Sequence, residues 1–296
     1  MKTHSLLFLL VILLGGCSSK NDVSDAWGTF EATEITVSAM ANGKLIRFQL
    51  EEGMLLDSGQ TVGYVDTTDL SLKKRQSIEQ RNATASRKSD IQAQVAVQEQ
   101  TRENIMIEKQ RLENLLKGGA ATQKQMDDVT ASLKVIDRQI TSLKTQFTGI
   151  DDQVNALTQQ IAQIDESIRN CFIVNPVKGT VLNKFAEQDE VTSFGKPLYK
   201  IADLREMILR VYVSGAQLPK VIIGQEVQVV FDKDEKSNSI IPGTVSWISP
   251  TAEFTPKTIQ TKEERVNLVY AVKVRIQNDG SLKIGMPGEM KVMNDE

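Results

Sequence analysis

"MDDVTASLKVIDRQITSLKTQFTGIDDQVNALTQQIAQIDESI", residues 126 to 168, carries an apolar side chain at every third and fourth position in strict alternation. Met126, Val129, Leu133, Ile136, Ile140, Leu143, Phe147, Ile150, Val154, Leu157, Ile161, Ile164 and Ile168 fill thirteen consecutive positions without exception. A mean period of ~3.5 residues is the signature of a left-handed coiled-coil seam. At ~1.5 Å per residue the segment is a rod about 64 Å long. Gly149 lies off the seam and costs about 1 kcal/mol relative to Ala in a helix interior, too little to break the pattern.

A seam needs a partner. The preceding residues, about Asp69 to Lys117, contain no Pro or Gly and have nearly the same length. Their heptad is weaker: Leu70, Ser77, Thr84, Ile91, Gln98, Ile105 and Leu112 at one position, Lys74, Arg81, Lys88, Val95, Arg102, Lys109 and Leu116 at the other. The basic residues are expected to lay their methylene stems along the seam with the charges at its edge. An antiparallel hairpin turning at Gly118 and Gly119 is the simplest solution; pairing in trans with another chain's helices is the alternative. "KGGAATQK" at the turn lacks the GK[ST] ending of a phosphate loop and follows a helix rather than a strand, so a glycine pair ending one helix is the better reading.

The segments flanking the rod repeat each other. "VSAMANGKLIRFQLEEGMLLDSGQTVGYVDTTDL" (37 to 70) and "IVNPVKGTVLNKFAEQDEVTSFGKPLYKIADL" (173 to 204) align at a constant offset of 136 residues: Gly43 falls on Gly179, Leu45 on Val181, Gly59 on Gly195, Val65 on Ile201 and Asp66 on Ala202. Gly53 falls on Asp189, a residue type that also tolerates left-handed turn geometry. Both segments read as short strands with glycine turns. Two halves of one β domain, residues 27 to 68 and 171 to 204, are therefore expected around a hairpin at 69 to 170 with its tip at about 117 to 123. Beyond Leu204, "MILRVYV", "EVQVVF", "IPGTVSWIS", "LVYAVKVRI" and "GEMKV" predict a small antiparallel barrel over 205 to 296. Residues 24 to 36 are expected to add a strand to one of the two β domains.

At the N-terminus, Lys2 and His4 precede a nine-residue apolar run, Leu6 to Leu14, too short to span a bilayer and placed as a secretory signal. "LGGC" (14 to 17) resembles the bacterial lipobox, so residues 1 to 16 are a leader, Cys17 is the expected lipidation site and the polar stretch to residue 26 is a tether. Acyl chains contribute ~0.8 kcal/mol per buried methylene, which anchors the chain without a basic patch. Lipidated Cys17 leaves Cys171 nothing to pair with, and a buried core role is expected for it. The net charge is −3 and the basic residues are scattered, which argues against a nucleic-acid partner. The one His lies in the leader. No Ser/His/Asp set, carboxylate pair or metal cluster is legible, so neither enzyme activity nor a cofactor is expected.

The order of lipobox, half of a lipoyl-like domain, long hairpin, second half and barrel resembles the HlyD-like membrane fusion proteins, the periplasmic adaptors of bacterial export machines, over essentially the whole mature chain. "NPVKGTV" (175 to 181) is similar to the family's "APxxGxV", with Asn175 in place of Ala; "GMPGEMKV" (285 to 292) is similar to its closing barrel strand. "FTPKTIQTKEERVNLVYAVKVRI" (254 to 276) resembles adaptors serving ATP-driven exporters. The resemblance implies an α+β fold: a long antiparallel coiled-coil hairpin inserted in a split lipoyl-like (barrel-sandwich hybrid) domain, followed by an antiparallel β-barrel. It also implies docking on a TolC-type outer-membrane channel through Arg111, Leu115 and Thr122, the last standing where the family has Ser. An ATP-binding-cassette transporter in the inner membrane, a homo-oligomer of six and a periplasmic location with the lipid in the inner membrane of a Gram-negative bacterium complete the expectation. A membrane-proximal domain is expected to be short or absent.

Two rivals are weaker. A lipoyl or biotinyl carrier needs a modified Lys at a tight hairpin turn, and the helical insertion occupies that turn. A structural coiled-coil envelope lipoprotein has no reason to carry two β domains and the tip spacing.

Overall fold

The computed structural model describes residues 25–234, 237–254 and 268–292. The leader and Cys17 lie outside the described residues. In chain order the elements are β1 (Ala26–Glu31), β2 (Glu34–Ser38), β3 (Gly43–Phe48), β4 (Leu55–Leu56), β5 (Thr61–Val65), α1 (Thr68–Lys117), α2 (Gln123–Arg169), β6 (Phe172–Val174), β7 (Gly179–Lys184), β8 (Val191–Thr192), β9 (Pro197–Ala202), β10 (Glu206–Ser214), β11 (Glu226–Asp234), β12 (Ser237–Ile248), β13 (Glu253–Phe254), β14 (Leu268–Gln277) and β15 (Pro287–Val292). Two compact units emerge: Thr36–Pro176 with Asn183–Tyr199, and the remainder, which includes Val177–Leu182 and everything from Lys200. Among the described residues, no helix is long and apolar enough to cross a membrane.

In the first unit α1 and α2, 50 and 47 residues long, pack as one antiparallel hairpin. At ~1.5 Å per residue the arms are about 75 and 70 Å long. The heptad reading holds on both arms: none of the thirteen apolar seam residues of α2 is exposed, and Ile140 and Ile161 are buried. The polar seam of α1 is half-buried along its length, with Ser77 as its buried residue. Its basic residues reach sideways to carboxylates on α2. Lys74 pairs with Asp165 at 2.5 Å and Arg102 with Asp137 at 2.6 Å, and Lys88 pairs with Asp151 while lying 4.7 Å from the Phe147 ring centroid. The pairing is within one chain, which answers the question of partners in cis or in trans for this hairpin.

The hairpin enters and leaves the β structure at one point. β5 pairs with β6, Tyr64 opposite Phe172, and the Val65 N–H donates to the Cys171 carbonyl at 2.8 Å. The Asp66 carboxylate starts α1 by accepting from both the Thr68 hydroxyl at 2.6 Å and the Thr68 N–H at 2.8 Å, which hold its pKa below the usual carboxylate value. Cys171 is buried and free, its thiol donating to the Ser167 carbonyl; burial first, then the Asp66 charge, pushes its pKa up.

One sheet of this unit has the order β6-β5-β3-β8, so two strands from before the hairpin are flanked on either side by a strand from after it. This shared sheet is what makes the β domain split rather than doubled. The strand bounds obey the repeat: β3 and β7, β4 and β8, β5 and β9 each start 136 residues apart. Turn geometry follows. Gly59 and Gly195 have φ of 81° and 82°, and Gly53 at 86° is matched by Asp189 at 71°, a non-glycine residue in the left-handed region.

The repeat also explains Asn175, which falls on Ala39. Ala39 exchanges backbone hydrogen bonds with Gly195 and Lys196; Asn175 does the same with Gly59 and Gln60. The Asn175 side chain adds a link that Ala39 cannot: its amide donates to the Asp57 carbonyl at 2.9 Å, and its carbonyl accepts from the Tyr199 hydroxyl at 3.1 Å. Both side chains are fully buried, and burial pushes the Tyr199 pKa up to about 12.

The second unit holds a closed barrel, β10-β1-β15-β11-β12-β14, sealed by β10 pairing with β14 and edged by β13. Here one expectation is corrected. β1, within the segment 27 to 68 assigned to the lipoyl-like domain, is a barrel strand between β10 and β15. The physical reason is its inner face: Ala26 and Phe30 are fully buried in the barrel core, where Phe30 meets the Phe231 ring edge-on at 6.1 Å. Gly28 lies between them where a Cβ would sit 1.7 Å from the Arg210 carbonyl oxygen, so the strands approach closely only because the residue is glycine.

Candidate docking site at the hairpin tip

The tip is built from chain-ending chemistry on one arm and chain-starting chemistry on the other. On α1, Gly118 is the last helical-conformation residue, and Gly119 follows at φ 73°. The Gly119 N–H donates to the Leu116 carbonyl at 3.0 Å, and the Ala120 N–H to the Leu115 carbonyl at 2.9 Å. This crossed pair of bonds is the Schellman arrangement, which satisfies carbonyls a helix otherwise leaves open. An added Cβ on Gly119 meets nothing within 4 Å, so glycine is required there for its backbone conformation alone.

On α2, Thr122 is the N-cap. Its hydroxyl accepts from the Gln125 N–H at 3.4 Å, and the Gln125 side-chain oxygen accepts from the Thr122 N–H at 2.8 Å and from the Thr122 hydroxyl at 2.9 Å. This reciprocal capping box has a plain sequence signature, T-x-x-Q, in "TQKQ" (122 to 125). Thr122, expected at the docking face, has its hydroxyl fixed by Gln125, a residue outside the docking spacing.

The three expected docking residues are all exposed. Arg111 and Leu115 share a helix face by their i, i+4 spacing, and Ile107 extends the same row one turn earlier. The Arg111 guanidinium donates to Glu108 at 2.6 Å, a side-chain pair largely open to water. Leu115 is 42% exposed and Ile107 57%, so the last turns of α1 present an apolar row with a cation in its middle. Thr122 opens the other arm, across the four-residue turn 118–121. Such a surface is equipped for helix-on-helix packing: knobs on a rigid ridge, with the backbone at the turn already satisfied. Among the described residues no group of three or more His, Cys, Asp or Glu is arranged to hold a metal ion.

No family model matches the chain. A UPF0194 membrane protein of Yersinia pseudotuberculosis is 34% identical over 122 residues, 41% of this chain and 37% of that protein, so the match spans little more than a third of the relative's length. Another, of Acidithiobacillus ferridurans, is 25% identical over 290 residues that cover 88% of this chain and 84% of the relative. Among solved structures, the membrane fusion protein Spr0693 of Streptococcus pneumoniae superposes with a TM-score of 0.58 at 14% identity, covering 91% of this chain and 98% of that one. The periplasmic adaptor protein EmrA gives 0.50 at 16% identity, with the same coverage of both chains. With its split β domain, inserted helical hairpin and following barrel, the chain has the fold of the membrane fusion proteins.

Proposed function

We propose that this protein is a periplasmic adaptor, anchored by lipid at Cys17, that joins an inner-membrane transporter of the ATP-binding-cassette type to a TolC-type outer-membrane channel for the export of small molecules. The observation that carries the reading is the tip. A rod with arms about 70 Å long ends in a turn whose backbone is internally capped, and the flanking Arg111, Leu115 and Thr122 face solvent. A spacer has no use for an exposed Leu beside an Arg at that point; a docking end does. Six copies form the connecting tube by this reading. The adaptor carries out connection and gating, not bond chemistry.

The test is a photo-crosslinking residue placed at Leu115 in cells that express the full chain. An adduct with an outer-membrane channel protein is expected, together with loss of export in Arg111→Glu at normal abundance. Crosslinks to no envelope protein, with export intact, would sink the docking assignment.

A further inference from the structure

One barrel rim gathers the chain entry and an unusual apolar turn. Asp25 is tied there on three sides: its N–H donates to the Met290 carbonyl at 3.0 Å, its carbonyl accepts from the Gln217 side chain at 2.8 Å, and its carboxylate accepts from the Val292 N–H at 2.9 Å. The connection from β10 to β11 leaves the same rim, since Tyr212 stands opposite Trp27 on β1. In that connection Val221 is buried in the barrel core, whereas Ile222 and Ile223 are 66% and 62% exposed.

The two isoleucines are held out by a rigid device. Gly224, at φ 88°, turns the chain back. The Ile222 N–H donates to the Gln225 side chain at 3.0 Å, and the Ile222 carbonyl accepts from the Gln225 N–H at 3.1 Å. Two more bonds clamp the turn to β12, from the Gly224 N–H to the Val245 carbonyl at 2.8 Å and from the Val245 N–H to the Gln225 carbonyl at 2.9 Å. The Ile222 N–H and carbonyl and the Gly224 N–H are thus satisfied within the protein, which lowers the cost of bringing this part of the turn into an apolar phase. Beside the turn, Lys220 is exposed, and on the outer wall two residues along from Asp25, Trp27 is 57% exposed. Lys suits anionic headgroups, and Trp and Tyr favour the membrane–water boundary.

We infer that this rim rests on the bilayer surface, with Ile222 and Ile223 inserted among the lipids as a second, reversible contact beside the acyl anchor. The inference rests on the proposed acylation of Cys17. Eight residue steps separate Cys17 from Asp25. At ~3.3–3.6 Å each they reach at most about 28 Å. The anchor therefore holds the rim that bears the two isoleucines within reach of the surface, at a high effective concentration. Two exposed isoleucines on one turn are also far short of the ~800 Å² per partner that a stable protein interface buries.

The test uses the full acylated chain in vesicles of phosphatidylethanolamine and phosphatidylglycerol containing spin-labelled lipid. Ile223→Cys, and separately Ile222→Cys, carries an environment-sensitive fluorophore; Lys233→Cys at the far end of β11 is the control, and buried Cys171 in the unsubstituted chain checks background labelling. Blue-shifted emission and at least twofold quenching at 222 and 223, with neither at 233, are expected. Protein that floats with the vesicles but shows no quenching at either isoleucine overturns the rim contact and leaves the anchor standing. Protein that carries no acyl group when isolated from its own membranes, and does not float, overturns the anchor, and the rim contact with it. A crosslink from 223 to another envelope protein without lipid quenching assigns the turn to that protein instead and overturns the inference.

Discussion

Lys74 Nζ lies 2.5 Å from the Asp165 carboxylate, reaching across the hairpin from a seam position to its edge. The same relation recurs at Lys88 with Asp151 and at Arg102 with Asp137, two heptads apart on each arm. All three pairs share one midpoint, between Gly119 and Ala120, the middle of the turn. The polar seam of α1 thus sets the register of the arms as well as tolerating its own charges.

Each pair is partly open to water, where an ion pair contributes ~0–1 kcal/mol and fades with salt. The triple variant Asp137→Lys, Asp151→Lys, Asp165→Lys sets like charges opposite one another. Its helical melting midpoint should fall by the equivalent of about 1–3 kcal/mol at low salt, and by less at high ionic strength. An unchanged midpoint at low salt counts against these pairs as register marks. Ile140→Asp, with an unpaired charge at a buried seam position, should lower the midpoint at any salt.

Gly149 leaves the rod weaker than it need be. A Cβ there meets nothing within 4 Å, and Gly149→Ala should raise hairpin stability by about 1 kcal/mol in thermal or denaturant unfolding. Gly63→Ala is the contrast. Its Cβ would stand 2.3 Å from the Arg47 carbonyl oxygen on β3, and folded yield should drop sharply. A neutral outcome at Gly63 would refute the close approach of those strands.

Thr122 separates capping from docking. Thr122→Ala should cost about 1 kcal/mol, Thr122→Ser nearly nothing. Leu115→Glu and Arg111→Glu, both exposed, should leave the melt near normal while export fails. If the melt of Leu115→Glu collapses instead, the tip is a structural element and not a docking face.

Asn175 and Tyr199 answer to each other. Removing one partner strands a buried polar group at a cost of about 1–3 kcal/mol, and removing both is milder. Asn175→Ala should therefore destabilise more than Asn175→Ala with Tyr199→Phe. A pH test reads the same site. The Tyr199 pKa is raised from 10.0 to about 12 by burial, so the fold binds that proton more tightly than the unfolded chain does. Its contribution is complete below pH 10.0 and is lost as pH climbs toward about 12; the wild type should lose stability across that window more steeply than Tyr199→Phe. Parallel profiles would contradict the burial.

Much of this architecture is written locally. The seam of α2 and the repeat at 136 residues depend on short-range periodicity, and even the left-handed turn at Asp189 follows from its alignment with Gly53. The placement of β1 was not legible, because "AWGTFE" alternates in a way that fits either β domain, and only the barrel neighbours that receive Phe30 decide between them. The carboxylate partners of Lys74, Lys88 and Arg102 were equally hidden. Their positions on α2 follow from where the turn centres, which a heptad pattern alone leaves free by a whole helical step. The capping box at Thr122 is legible in "TQKQ" from its T-x-x-Q spacing.

Because the Val65 N–H meets the Cys171 carbonyl at 2.8 Å, the hairpin begins and ends at a single doorway in the β domain. Arm length is therefore an independent variable. Adding or deleting one heptad from each arm together changes reach by about 10 Å and restores the same facing residues, with no strand obliged to move. Evolution or an engineer can fit such a protein to a wider or narrower gap by paired seven-residue edits, while the β domain, the barrel and the capped turn stay as they are.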